Sequence, residues 1–308
     1  MSDTTADTDE LVIVLNPRSG SADHVDAVEK RAAIRGYDVR ETTHEGHALE
    51  LARIAAQDGR QQVVAAGGDG TLNEVIRGIA AADALDSVTV GVIPCGTGNN
   101  FATNVGIADI DEAFTVLEEG ERRRLDLGWA GDRPFINSCV GGLTADASAE
   151  TDPELKSQLG VLAYVLTTLQ TVSRFDGLEL SISVWDGEAS EPVWNGNAAC
   201  VLIGNGRRFA HAGSQQANVE DGLLNLTIVE AAPSIELVGD RLQERLFGTD
   251  GEHITRLLAS AIELDLDEST SLSLDGEMIE YDALSVDVDR QALRFPVGRT
   301  YEPAPTLD

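Results

Sequence analysis

Lysine is nearly missing from this chain. Lys30 and Lys156 are the only two, and 22 basic residues stand against 53 acidic ones, for a formal net charge of −31. That deficit argues against binding a nucleic-acid backbone, which needs clustered cations, and against a basic patch for anionic membranes. Cysteine is also scarce. Cys95, Cys139 and Cys200 stand far apart with no CxxC pair, so neither a zinc site nor a disulfide framework is suggested, and small buried residues are expected. The five histidines, His24, His44, His47, His211 and His253, show no metal-ligand spacing, and no metal is assigned to them. No apolar stretch is long enough to cross a bilayer, and no basic segment with an apolar core opens the chain. The expectation is a cytosolic protein whose membrane contact is peripheral, with residues 1–10 as a disordered acidic tail.

The acids are spread along the chain, not gathered in one tail. Such a surface repels itself in dilute buffer and is screened in strong salt, where the Debye length falls to roughly 3 Å at 1 M. A salt-loving organism's cytosol is the favoured reading; an acidic partner-binding surface is the alternative. With 308 residues, 42% of them hydrophobic, two domains are expected.

The most informative stretch is Val63 to Ile76, Val-Val-Ala-Ala-Gly-Gly-Asp-Gly-Thr-Leu-Asn-Glu-Val-Ile. Val63 to Ala66 read as a buried strand, Gly67, Gly68 and Gly70 allow a tight turn, and Val75, Ile76, Ile79 and Ala80 recur at helical spacing. Thr71 is expected to cap that helix. A strand, a glycine turn and a helix N-terminus present N–H groups and a positive dipole end, and phosphate is the natural guest. Asp69 would repel a phosphate unless a divalent cation lay between them, so the loop suggests a metal-bound nucleotide. A plain tight turn with a solvated Asp69 is the bland alternative. Ser87 to Ile93 read as a second buried strand running into Pro94-Cys95-Gly96-Thr97-Gly98-Asn99-Asn100-Phe101-Ala102. Two glycine turns at the carboxyl ends of two strands suit one ligand in the crevice of an open α/β sheet.

These two motifs together resemble the catalytic domain of the diacylglycerol kinase and sphingosine kinase family, in particular its soluble prokaryotic lipid kinases. The first motif is shared with the wider superfamily that includes NAD kinases; the second is characteristic of the lipid-kinase branch. The resemblance implies an α/β N-terminal domain of the NAD kinase/diacylglycerol kinase-like type, an open parallel sheet over residues 11–126. It also implies a β-rich sandwich over 127–308, whose last segment packs back on the first domain. It further implies ATP held by Asn16, Pro17, Arg18, Ser19 and Gly20, by Thr42, by Gly67, Gly68, Asp69, Gly70, Thr71, Leu72 and Asn73, and by Gly96, Thr97 and Asn99. A structural Mg²⁺ would be held by Asp221 through its side chain and by Asn218 and Leu223 through carbonyl oxygens. Asp69, Asp275 and Glu277 are the implied catalytic residues, the last two activating the acceptor hydroxyl. Turns with solvated acids are the bland reading of both Asp221-Gly222 and Asp275-Gly276-Glu277.

From Arg124 the texture turns to alternating β-like runs, at Arg124 to Trp129, Phe135 to Val140, Leu178 to Trp185, Ala198 to Ile203, Leu223 to Val229, Ser271 to Leu274, Ser285 to Val288 and Ala292 to Phe295. Helices are expected over 24–34, 47–57, 110–118, 155–172 and 235–247. The chain departs from the family pattern at Asn100, where the family carries an aspartate, and in having Gln215 and Gln216 where it has a proline. The expected activity is ATP-dependent phosphorylation of the primary hydroxyl of a diacylglycerol- or dialkylglycerol-like lipid at a membrane surface. A homodimer is compatible with it. The alternatives are a kinase of NAD or another small alcohol, which leaves Pro94 to Ala102 unexplained, and a non-catalytic nucleotide-binding regulator.

Overall fold

Strand β1 (Leu11–Leu15) is buried at every position, which is why it lacks any polar alternation. In the computed structural model, which describes residues 10–21, 23–142, 177–185, 192–208, 216–231 and 254–304, β1 lies at the heart of a parallel sheet. It pairs with β2 (Asp38–Glu41) on one side and β3 (Gln62–Gly67) on the other, and β3 pairs with β4 (Thr89–Pro94). Helices α1 (His24–Arg35), α2 (His47–Gln57), α3 (Asp69–Ala81), α4 (Asn100–Asn104) and α5 (Ile110–Glu119) alternate with these strands. The expected helices over 155–172 and 235–247 lie outside the described residues.

Capping chemistry sets several boundaries. Gly36, at φ 72°, closes α1 by donating to the Ala32 and Ala33 carbonyls. Asp109 accepts from Glu112 N–H at 2.8 Å to open α5. The expectation that Thr71 caps α3 is corrected: the helix starts at Asp69 with Gly68 as its cap, and Thr71 is already inside the first turn. Its side chain folds back on Gly67, where a Cβ would stand 2.4 Å from Thr71 Oγ1.

The chain divides into two units, Met1–Leu127 with Arg290–Glu302, and Gly128–Asp289 with Pro303–Asp308. In the first, the far end of β13 (Glu277–Val297) adds one parallel bridge beside β4, Arg294 to Thr89. Phe295 packs edge-on against Phe101 with ring centroids 5.4 Å apart. Glu10, placed by expectation in the acidic tail, is held in this unit, because Gln61 donates to its carbonyl at 3.1 Å and to its carboxylate at 2.7 Å.

The second unit is antiparallel. Strand β9 (Pro192–Gly204) pairs with β10 (Leu224–Glu230), which pairs with β11 (Ile254–Ala259). On its other side β7 (Ser138–Gly142) and β8 (Leu178–Trp185) share one lane, and both also pair with β12 (Ala261–Leu274). Ile182, Val201, Ile203, Leu226, Ile262 and Leu264 are among the side chains that fill its core. Two sequence expectations are corrected here. The run Phe135 to Val140 is two strands, β6 (Arg133–Phe135) and β7, broken where Ile136 and Asn137 donate their N–H groups elsewhere. The separate strands expected at Ser285 to Val288 and Ala292 to Phe295 are parts of the single long β13. Strand β5 (Glu121–Ala130) precedes both.

Candidate functional site

In the first unit three loops leave the carboxyl ends of β1, β3 and β4. Asn16 ties the first two together: its N–H donates to Ala66 O at 2.9 Å and its side-chain amide to Thr71 Oγ1 at 3.1 Å, while its own Oδ1 accepts from Arg18 N–H at 3.0 Å. His24, buried at the start of α1, lies 3.0 Å from the Asn16 carbonyl and donates to it through Nε2. The other contacts are backbone against backbone and require glycine. A Cβ on Gly96 would come 2.5 Å from Gly68 Cα, and one on Gly20, which sits at φ +53°, would come 2.6 Å from Cys95 O. The loop after β4 is closed by Asn99, whose Oδ1 accepts from Gly96 N–H and whose Nδ2 donates to Gly96 O, both at 2.9 Å. Thr97 is exposed at its tip. Thr42 follows β2 and donates its N–H to Leu15 O at 2.8 Å.

Asp69 is engaged by protein donors. Its two oxygens accept from Asn100 N–H at 3.0 Å, Asn100 Nδ2 at 3.2 Å and Phe101 N–H at 3.0 Å. The side chain therefore caps α4 from the opposite glycine turn, a role that the sequence did not suggest because α4 itself was read as loop. Cys95 is buried beside this turn, and burial pushes its thiol up to about 12, which removes it as a nucleophile.

A pocket of about 250 Å³ opens next to the β1 loop. Asn16 and Arg18 line it from that loop, and Thr42, Thr43, His44 and Glu45 from the β2–α2 connection. Of these, Thr43, His44 and Glu45 escaped the sequence reading, as did Glu74. Helix α2 is preceded at its cap position by Gly46, which has no side chain to offer as a cap. Glu74 of α3 supplies the carboxylate instead, accepting from Gly46 N–H at 3.3 Å and Ala48 N–H at 3.2 Å. Its position beside the glycine motif was a visible signal; its partner, 28 residues away, was not.

The second unit holds the other acids. Asp275 and Gly276, at φ 48° and 97°, form the two-residue tip of the β12–β13 hairpin. One Asp275 oxygen accepts from Ile136 N–H at 2.7 Å, the other from Asn137 N–H at 2.9 Å and Ser138 N–H at 2.8 Å. Asp275 N–H returns the contact to Ser138 O at 2.9 Å. Glu277, with its side chain 48% exposed, pairs with Arg133 at 3.1 Å. Burial, followed by the nearby Asp275 charge, pushes the Cys139 thiol up to about 12. In the 218–223 loop, Asn218 Oδ1 accepts from Glu220 N–H and Asp221 Oδ1 from Leu223 N–H, both at 3.0 Å, and Gly222 turns at φ 73°. Among the described residues no group of three or more histidines, cysteines and acids is gathered as a metal cage.

Residues 10–130 match the diacylglycerol kinase catalytic domain, and residues 137–296 match the YegS C-terminal NAD kinase β-sandwich-like domain. The chain belongs to the YegS-like lipid kinase family. A relative named probable lipid kinase YegS-like, from Pseudomonas aeruginosa PAO1, is 32% identical over 300 residues, covering 95% of this chain and 96% of its own. Another of that name, from Pseudomonas fluorescens Pf-5, is 33% identical over 293 residues, with 92% and 94% covered. The fold is shared with crystal structures from Bacillus anthracis str. Sterne. One, provisionally named a diacylglycerol kinase, superposes with a TM-score of 0.76 at 23% identity over 98% of this chain and 100% of that one. A second, named a diacylglycerol kinase, gives 0.70 at 18% identity over 96% and 98%. The family makes the chain a phosphotransferase with an alcohol acceptor, built as an α/β catalytic domain followed by a β-sandwich-like domain. Among the described residues no helix is long and apolar enough to cross a membrane.

Proposed function

We propose that the protein transfers the γ-phosphoryl group of ATP to the primary hydroxyl of a diacylglycerol- or dialkylglycerol-like lipid, meeting that lipid at a membrane surface without spanning it. The observation that carries the nucleotide half is the convergence of three glycine-bearing loops at the carboxyl ends of β1, β3 and β4. Loops of this kind turn free N–H groups and a helix N-terminus toward phosphate oxygens. Asn16, Arg18, Gly67 to Asn73 and Thr97 would hold the nucleotide, with Asn16 Nδ2 keeping the first loop against α3.

The donor chemistry at 218–223 fits a hard divalent cation: one carboxylate, Asp221, beside the carbonyl oxygens of Asn218 and Leu223, in a loop shaped by its own Asx turns. Mg²⁺ held there would be structural, and Mg²⁺ carried in with the nucleotide would neutralise phosphate charge. Asp69 is mostly committed to α4, with three hydrogen bonds accepted of about four that a carboxylate offers. It contributes negative charge and about one acceptor position to the cleft.

The two late acids divide the remaining work. Asp275 has both oxygens on main-chain amides and serves as the anchor of the hairpin tip. Glu277, half exposed and paired with Arg133 in an ion pair of the kind that contributes roughly 0–1 kcal/mol, is the acid we assign to take the acceptor hydroxyl's proton. Positioning and charge stabilisation do the rest, because phosphoryl transfer asks little covalent chemistry of a protein.

The −31 charge with only two lysines supports work in concentrated salt. Lowering KCl from molar to about 0.1 M, where the Debye length is about 10 Å, should lower the melting temperature; an unchanged melt refutes the salt reading. Function is tested by incubating the protein in molar KCl with radiolabelled ATP, Mg²⁺ and a panel of lipid alcohols beside NAD. Label in a diradylglycerol is the expected result. Label in NAD alone, or none in any acceptor, refutes the proposal.

A further inference from the structure

The loop between β1 and α1, residues 16–23, is fastened where it starts to where it ends. Asn16 opens it and is gripped by three other elements. Its N–H reaches Ala66 O of β3 at 2.9 Å, its side-chain amide reaches Thr71 Oγ1 of α3 at 3.1 Å, and its carbonyl accepts at 3.0 Å from His24, the first residue of α1. A carbonyl only accepts, so His24 Nε2 carries the hydrogen of that bond. The contact ties the first residue of the helix back to the first residue of the loop.

His24 is the one buried histidine among those described, at 7% exposure. Burying an imidazole costs free energy unless its polar atoms find partners, and the partner this ring meets is the loop. The loop in turn hangs on Asn16. Arg18 N–H donates to Asn16 Oδ1 at 3.0 Å and Ser19 N–H to Asn16 O at 3.2 Å, while Pro17 has no N–H to give. The main-chain donors of residues 17–19 are therefore absent or turned inward. What this stretch keeps for an anion is the guanidinium of the exposed Arg18 and the Ser19 hydroxyl, and both are aimed by the backbone that Asn16 holds. Asn16 and Arg18 line the neighbouring pocket; His24 does not.

We infer that His24 is a positioning residue for phosphoryl transfer: by holding the Asn16 carbonyl it keeps residues 16–20 in the shape that receives the nucleotide phosphates, without touching the nucleotide itself. This rests on the nucleotide reading above. The gain is preorganisation, since a loop fixed beforehand loses less conformational freedom when its ligand arrives. The effect falls on affinity for phosphates, and the chemical step on a seated nucleotide does not feel it.

The test uses the full chain in molar KCl with Mg²⁺. His24→Leu keeps an apolar body and removes the donor; His24→Gln sets an amide nitrogen near the place of Nε2 and restores it. In His24→Leu the Kd of inorganic tripolyphosphate and of ADP, by calorimetry, should both rise about three- to tenfold, the scale of one hydrogen bond. KM for ATP should rise with them, while kcat and the KM of the lipid alcohol stay within about twofold. His24→Gln should bring Kd and KM most of the way back. A histidine that served stability alone would lower the melting temperature and leave Kd and KM of the folded fraction unchanged, and that pattern overturns the inference, as does a loss that His24→Gln fails to repair. If His24→Leu does not fold, the wild type decides: nitrogen-15 NMR at mildly alkaline pH should find the hydrogen on His24 Nε2 and a shift of that signal when tripolyphosphate is added. An Nδ1–H tautomer or an unmoved signal overturns the inference. A wild-type protein that binds neither ADP nor tripolyphosphate overturns the nucleotide reading and this inference with it; a wild type and a His24→Leu variant that bind both equally well overturn the inference alone.

Discussion

Asp69 and Asp275 sit in different units and in different motifs, yet each spends its carboxylate on three N–H donors. The difference lies in who donates. Asp275 is held by three main-chain amides, 136 to 138, which no substitution short of proline removes. Asp69 is held by two main-chain amides and one side chain, that of Asn100, the position where the family pattern has an acid. The second unit thus uses its aspartate as a backbone staple across more than 130 residues of sequence, and the proposed mechanism gives the base role to Glu277. The first unit keeps its aspartate adjustable, through one neighbour that could as easily repel it.

The sharpest way to break this comparison is to exchange the jobs of Asp275 and Glu277. Glu277→Gln should cut turnover by about 10² to 10⁴-fold, the usual worth of a general base, with little change in melting temperature because the partly exposed ion pair with Arg133 is of a kind that contributes about 0–1 kcal/mol. Steady-state kinetics alongside thermal melts decide it. Near-normal turnover in this variant would return the base role to Asp275.

Asp275→Asn should instead be felt as stability. An amide can accept through one oxygen but turns its NH₂ toward amides that need an acceptor, so about 2–3 kcal/mol should go, on the scale of hydrogen bonds to a charged group. Denaturant unfolding measures the loss. A variant as stable as the wild type would mean that the contacts with 136 to 138 contribute no net stability.

The smallest expected effect probes the adjustable end. Asn100→Asp removes a donor from Asp69 and sets a second carboxylate against it, where 3.2 Å now separates amide nitrogen and acid oxygen. Without divalent cations the protein should lose about 1–2 kcal/mol. Millimolar Mg²⁺ should restore it, since a cation between two acids converts repulsion into ligation. If added Mg²⁺ leaves the variant's melt where EDTA left it, the cleft no longer has the family's capacity for a cation at this point.

The local chemistry of the two glycine turns was legible in the sequence because it is short-range: buried β runs, glycines where a Cβ cannot fit and a helical period following at once are all set within about fifteen residues. The strands of the second unit were visible as alternation, but their lengths were not. Whether Ser285 and Ala292 belong to one strand depends on a pairing partner far away in the chain, and an isolated alternating run contains no record of it. The same limit explains why Thr71 was read as a cap and α4 as a loop. Capping by Asp69 of a helix that starts at Asn100, capping of α2 by Glu74, and the hold of residues 136 to 138 on Asp275 are all hydrogen bonds between segments 26 to 139 residues apart. Sequence determined which groups could serve as acids, amides and turns. Only the tertiary structure decided which acid is spent on which amide, because a buried or half-buried N–H must find an acceptor and the folded chain alone determines which one is near.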